Sequence, residues 1–144
     1  MKRSPGHNIS KVLLAADSTV LIAYAERPGD KGLLEVWRPN RDSVSIDLKL
    51  HLEQAAQTHV SKVAFGQLGS DHLVAVAHYR LNNQEQVVSS SIILFAVHEP
   101  RQYHALGSID LERRTAEHLE IGAGSLFVKV AGVSELFAVD LTGF

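Results

Sequence analysis

The chain has 144 residues, 45% of them hydrophobic and 21% charged, with a net charge of −2 and no cysteine. One domain with a substantial core fits that length. Charges of both signs are scattered, so no basic face points to nucleic acid, and no cysteine is present for a disulfide framework, a thiolate metal site or a thiol nucleophile. The longest apolar runs, such as Ile92-Ile93-Leu94-Phe95-Ala96-Val97, fall far short of the ~20 residues of a membrane-spanning helix. The opening MKRSPGH is followed by polar residues and does not read as a signal peptide. Nothing in the composition settles the compartment.

In chain order, short apolar runs alternate with Gly, Pro, Asn, Asp and Ser, the pattern of strands joined by turns. The runs predict strands near 9–15, 19–25, 32–38, 43–50, 60–65, 72–79, 91–98, 102–110, 117–121, 125–131 and 134–141. Turn chemistry lies between them at Arg27-Pro28-Gly29-Asp30, Arg38-Pro39-Asn40, Leu68-Gly69-Ser70-Asp71, Leu81-Asn82-Asn83, Glu99-Pro100 and Ile121-Gly122-Ala123-Gly124. Residues 48–57 and 110–120 contain good helix formers. The first stretch continues the period-2 alternation that begins at Val44, and the second has apolar residues too sparse for a helical stripe, so both read as strand or connection. The fold class expected is all-β.

The chain also repeats itself. Asn8-Ile9-Ser10-Lys11-Val12 falls on His59-Val60-Ser61-Lys62-Val63, and Ile22-Ala23-Tyr24-Ala25 on Val74-Ala75-Val76-Ala77. A third copy aligns Glu117-His118-Leu119 with Thr58-His59-Val60, and Phe127-Val128-Lys129-Val130-Ala131 with Leu73-Val74-Ala75-Val76-Ala77. The tetrapeptide Leu94-Phe95-Ala96-Val97 recurs without change as Leu136-Phe137-Ala138-Val139. A period of about 50 residues with four strands per unit is the signature of β-propeller blades. A lone four-stranded meander with two apolar faces buries neither, and stacking copies buries both. The expected architecture is therefore a set of propeller-type repeats of four-stranded antiparallel blades, with units at 7–51, 52–110 and 111–144. Propellers need about 4–8 blades. This chain therefore makes an incomplete ring, as a piece of a larger propeller or as one copy in a homo-oligomer; a β-sandwich is the alternative.

The wording of the repeat resembles the epilepsy-associated repeat (EAR, or EPTP). A unit opens with a small and polar stretch before an apolar strand, here QAAQTHVSKVAF and ERRTAEHLEI. A glycine turn leads into an LxVA-like strand, here SDHLVAVAHY and GSLFVKVAG, and later comes SSSIILFAV or, more loosely, KGLLEVW. The likeness is best over 52–140. The family's aromatic-Lys/Arg-Trp ending is matched only by Trp37, and Asn8, His59 and His118 stand where it carries an acid. The resemblance implies an extracellular, non-catalytic protein-interaction domain.

Motifs of chemistry are absent. The eight histidines form no HExxH, HxH or Cys/His cluster. His72 and His78 would share a strand face but stand about 20 Å apart at ~3.3 Å per residue, too far for one ion. The histidines read as surface or turn residues, with His59 and His118 at one structural repeat position. Gly122 and Gly124, in the stretch IGAGSLF, read as part of a β-turn rather than a dinucleotide loop. No GxSxG, phosphate loop or calcium loop occurs, and no catalytic residue, metal ligand or cofactor is assigned.

Binding residues concentrate on variable loops over rigid scaffolds. The loop expected between the second and third strands of unit two, Tyr79 to Ser89, varies most among the units, and Tyr79 and Arg80 are types favoured as interface anchors. Tyr79, Arg80, Asn82, Asn83 and Trp37 are the candidate binding residues for a protein partner. The competing readings are a propeller enzyme fragment (hydrolase or lyase) and a structural piece without activity of its own. Inner strands of Ile, Val, Ala and Lys do not favour the enzyme.

Overall fold

The computed structural model describes residues 8–14, 20–25, 33–37, 44–47, 58–68, 71–99 and 102–143, with side chains over 59–67, 72–96 and 105–143. Every element among them is a strand. They are β1 (Asn8–Leu14), β2 (Val20–Ala25), β3 (Leu33–Trp37), β4 (Val44–Asp47), β5 (Thr58–Leu68), β6 (Asp71–Leu81), β7 (Val87–Glu99), β8 (Gln102–Glu112), β9 (Ala116–Gly122), β10 (Ser125–Val130) and β11 (Leu136–Asp140). Three antiparallel meanders result, ordered β1-β2-β3-β4, β5-β6-β7-β8 and β9-β10-β11. The sheets formed by the described residues do not close into a ring.

All eleven expected strands are present. Residues 110–120 form no helix: β8 runs through Glu112, and β9 begins at Ala116 after a short turn. The stretch 48–57, read as strand or connection, lies outside the described residues, as do the turns at 27–30, 38–40 and 69–70. The turn after β9 is as expected, with Ala123 (φ 52°) and Gly124 (φ 76°) both left-handed, the backbone of a two-residue primed turn whose twist suits a hairpin.

One expectation is corrected at the β6–β7 hairpin. Residues 79–81 belong to β6 and 87–89 to β7, so the connection shrinks to Asn82–Gln86. The polar residues that read as loop are instead the outer ends of two long strands, with Tyr79 paired to Ser90 and Arg80 to Ser89.

The first two strands of each sheet carry a bulge. The extra residue is Ser10 in β1, Ser61 in β5 and Glu117 in β9. In each case it lies on the first strand, where one added residue bends the strand and strengthens its twist. Side chains close two of these bulges. Ser61 Oγ donates to the Ala77 carbonyl at 3.2 Å, and Lys129 Nζ donates to Glu117 Oε2 at 3.0 Å and to the Val130 carbonyl at 3.2 Å. The shared bulge also corrects two alignments read from sequence. Ile22 and Ala23 pair beyond the bulge as Val76 and Ala77 do, two residues further along than the sequence alignment placed them. His59 lies two residues before its bulge whereas His118 follows immediately after its own, so the two are not equivalent.

The β5–β8 sheet is the centre of the molecule, buried on both faces. One face contributes Ala64, Leu73, Ala75, Ala77, Ile92, Leu94 and Ala96 to a core shared with Ala116, Leu119, Leu126, Val128, Val130 and Leu141 of the third unit. The opposite face, Val63, Phe65, Val74, Val76 and Phe95, is buried as well, and β1 and β2 approach β5. Apolar residues at consecutive positions of β6 and β7 follow from this, since a strand covered on both sides needs no polar face.

Contact between the second and third sheets is made by β9 against β5 and β6. At Gly66 the approach is close: a Cβ there would lie 2.7 Å from Ile121 Cβ. Burial persists through β10 and falls off at β11. Leu119, Val128 and Phe137 lie side by side across β9, β10 and β11, and their exposures are 4%, 0% and 38%.

Candidate functional site

A concavity with a named candidate in its wall lies between the second and third sheets, beneath the β6–β7 hairpin. It is an open groove of about 570 Å³, lined by Tyr79, Leu81, Glu85 and Val87 of the hairpin, with Thr115 and Ala116 opposite and Ser61 at one end. Strand alternation explains the lining. Tyr79 shares the parity of Ala75 and Ala77 and so continues the face of β6 that meets the third sheet. Its ring stacks on His59, centroids 5.3 Å apart and planes at 29°. His59 is buried, which fixes one side of the tyrosine and leaves the other toward the groove.

The same alternation separates the other candidates. Arg80 follows Tyr79 and therefore lies on the opposite face of β6, exposed and outside the groove. Asn82 organises the turn: its Oδ1 accepts from the Gln84 amide at 2.9 Å and the Gln86 amide at 3.0 Å, while Nδ2 donates to Gln86 Oε1 at 3.0 Å. Those bonds, with Glu85 at φ 61° and the Asn82 amide donating to the Gln86 carbonyl at 2.9 Å, stiffen the hairpin tip. Asn83 sits exposed on that tip. Trp37 ends β3 in register with Val20, and its side chain lies outside the described residues. Among the candidates whose side chains are described, Tyr79 alone lines the groove. Sequence reasoning missed Leu81, Val87, Thr115 and Ala116, because a groove between two sheets is assembled across units and leaves no local motif.

The histidines also differ from expectation. His59 and His72 are buried rather than at the surface. His78 lies on the other face of β6, where burial and then the neighbouring Arg80 charge lower its pKa below the ordinary 6.5. Asp140 is held below the usual carboxylate range by the Thr142 hydroxyl and amide, which donate to its Oδ1 at 2.7 and 2.9 Å. No group of three or more His, Cys, Asp or Glu side chains converges on a metal-sized site among the described residues. No helix among them is long and apolar enough to cross a membrane.

The chain matches no protein-family model, no curated protein and no solved structure.

Proposed function

We propose that this chain is a non-catalytic protein-interaction module of propeller-type repeats, related to the epilepsy-associated repeats, in which the groove beneath the β6–β7 hairpin receives a peptide segment of a partner protein. The observation that carries the reading is Tyr79, an aromatic braced on one side by His59 and presented to the groove on the other. A rigid aromatic in a partly apolar concavity is the usual anchor of a binding hot spot. Three meanders of one strand order, each with a bulge on its first strand, support the propeller-type arrangement. The β6–β7 hairpin supplies a stiff frame, so little ordering entropy is lost on binding.

The test is selection from a display library of linear peptides. Enriched peptides should bind the wild-type chain and lose about tenfold or more in affinity to Tyr79→Ala, while Arg80→Ala changes binding far less. Failure to enrich any peptide, or binding indifferent to Tyr79→Ala, overturns the reading.

A further inference from the structure

The groove beneath the β6–β7 hairpin carries a charge as well as an aromatic. Among its described lining residues, Glu85 is the charged one, set beside the half-buried Tyr79, Leu81 and Val87. Its carboxylate makes no ion pair among the described residues. Glu85 also holds a left-handed backbone, φ 61°, at a turn position where glycine or asparagine is the usual choice. A glutamate there works against the hairpin's own stability, so turn chemistry does not account for it.

The remaining polar groups share one electrostatic character. Ser61 Oγ donates its hydrogen to the Ala77 carbonyl at 3.2 Å, which leaves lone pairs as what it offers the groove. Tyr79, covered on one side by His59, presents the electron-rich face of its ring on the other. The chain's own neighbouring cations do not fill the space. Arg80 lies on the opposite face of β6, Arg114 donates to the Ala131 carbonyl at 3.1 Å, and Lys62 and Arg113 are exposed and outside the lining.

We propose that the peptide received by this groove is anchored through a cationic side chain, lysine or arginine, with its charge at Glu85 and its aliphatic stem along Tyr79, Leu81 and Val87. The inference rests on the peptide-binding reading above and adds the chemistry of the occupant. Lysine and arginine each join an apolar stem to a charged head, which matches both halves of the lining. A cation over the tyrosine face is attracted by the ring as well as by the carboxylate. An acidic side chain would meet Glu85 as a like charge, and an apolar one would cover the carboxylate without pairing it. Because Glu85 is exposed, water screens the pair, which therefore sets selectivity and salt dependence more than total affinity.

The peptides enriched from the linear display library on the wild-type chain supply the test. They should share a lysine or arginine, and replacing it with norleucine should weaken binding about fivefold. Glu85→Gln should cause the same loss for the basic peptide and none for its norleucine version. Repeating the selection on Glu85→Lys should enrich aspartate or glutamate at that place. Glu85→Gly, which suits the left-handed turn, should melt no lower than the wild type yet lose the same affinity, so that misfolding does not explain the loss. Peptides that depend on Tyr79 but share no basic residue, or that bind Glu85→Gln and Glu85→Gly as tightly as the wild type, overturn this inference and leave the peptide-binding reading standing. No enrichment, or indifference to Tyr79→Ala, overturns both.

Discussion

The tetrapeptide Leu-Phe-Ala-Val occurs twice in this chain and lives in two different environments. In β7 its leucine is 1% exposed and its phenylalanine 4%; in β11 the same residues are 62% and 38% exposed. Local propensity is identical, and both copies form strands of the same pleat. The difference comes entirely from what surrounds them. β7 has a strand on each side and a sheet over its leucine face, whereas among the described residues β11 has one neighbouring strand and no sheet over its leucine face. Burial in this fold is thus a property of position in the stack.

Replacing the two leucines separately puts that lesson to its strongest test. Leu94→Ala should cost about 2–5 kcal/mol in chemical denaturation, the range for a large-to-small change in a packed core. Leu136→Ala, measured in dilute solution, should fall within about 0.5 kcal/mol of the wild type. Similar losses at both sites would break the comparison.

A smaller effect is expected at the seam that buries Leu94. Gly66→Ala places a methyl group against Ile121, where β5 and β9 approach closely. Forcing these strands apart should cost about 1–3 kcal/mol and raise the exposure of the core the two sheets share, read as an increased unfolding rate. An unchanged stability would mean the sheets are not in contact there.

The other face of the central sheet can be probed by acid. His78 has its pKa lowered by burial and by Arg80, so the folded state disfavours the charged imidazole. Its contribution to stability is complete above the unfolded value near 6.5 and is lost as pH falls through that value toward the lower folded one. The chain should therefore melt at lower temperature at pH 5.5 than at pH 7.5, and His78→Gln should reduce that difference. Arg80→Gln, which removes the second cause, should reduce it less. The smallest effect belongs to the outer face beside Leu136, where Lys129 pairs with an exposed Glu117. Lys129→Met should change stability by no more than about 1 kcal/mol, as solvent-screened pairs do.

Much of this fold is legible in the sequence, for a physical reason. Alternating apolar runs and turn residues act locally, so all eleven strands and the turn at Ala123-Gly124 could be located from residues alone. The extent of the β6–β7 hairpin could not. Tyr79-Arg80-Leu81 and Val87-Val88-Ser89 are strand ends reaching beyond the core, where polar residues are tolerated and mimic a loop. Register within the repeat was misread because bulges at Ser10, Ser61 and Glu117 shift the pairing, and a one-residue bulge has no sequence signal of its own. The candidate site was legible only at Tyr79. Arg80 was grouped with it by adjacency along the chain, although adjacency in a strand sends two side chains to opposite faces. The groove's far wall, Thr115 and Ala116, comes from another unit and becomes visible only when the sheets are stacked.

Hydrogen exchange of backbone amides in dilute solution, resolved by residue, tests the central claim most directly. The account predicts that Leu94, Phe95 and Ala96 exchange only on global unfolding, while Leu136, Phe137 and Ala138 exchange orders of magnitude faster through local opening. Equal protection of the two copies would contradict it, because the same four residues would then be held the same way in both places.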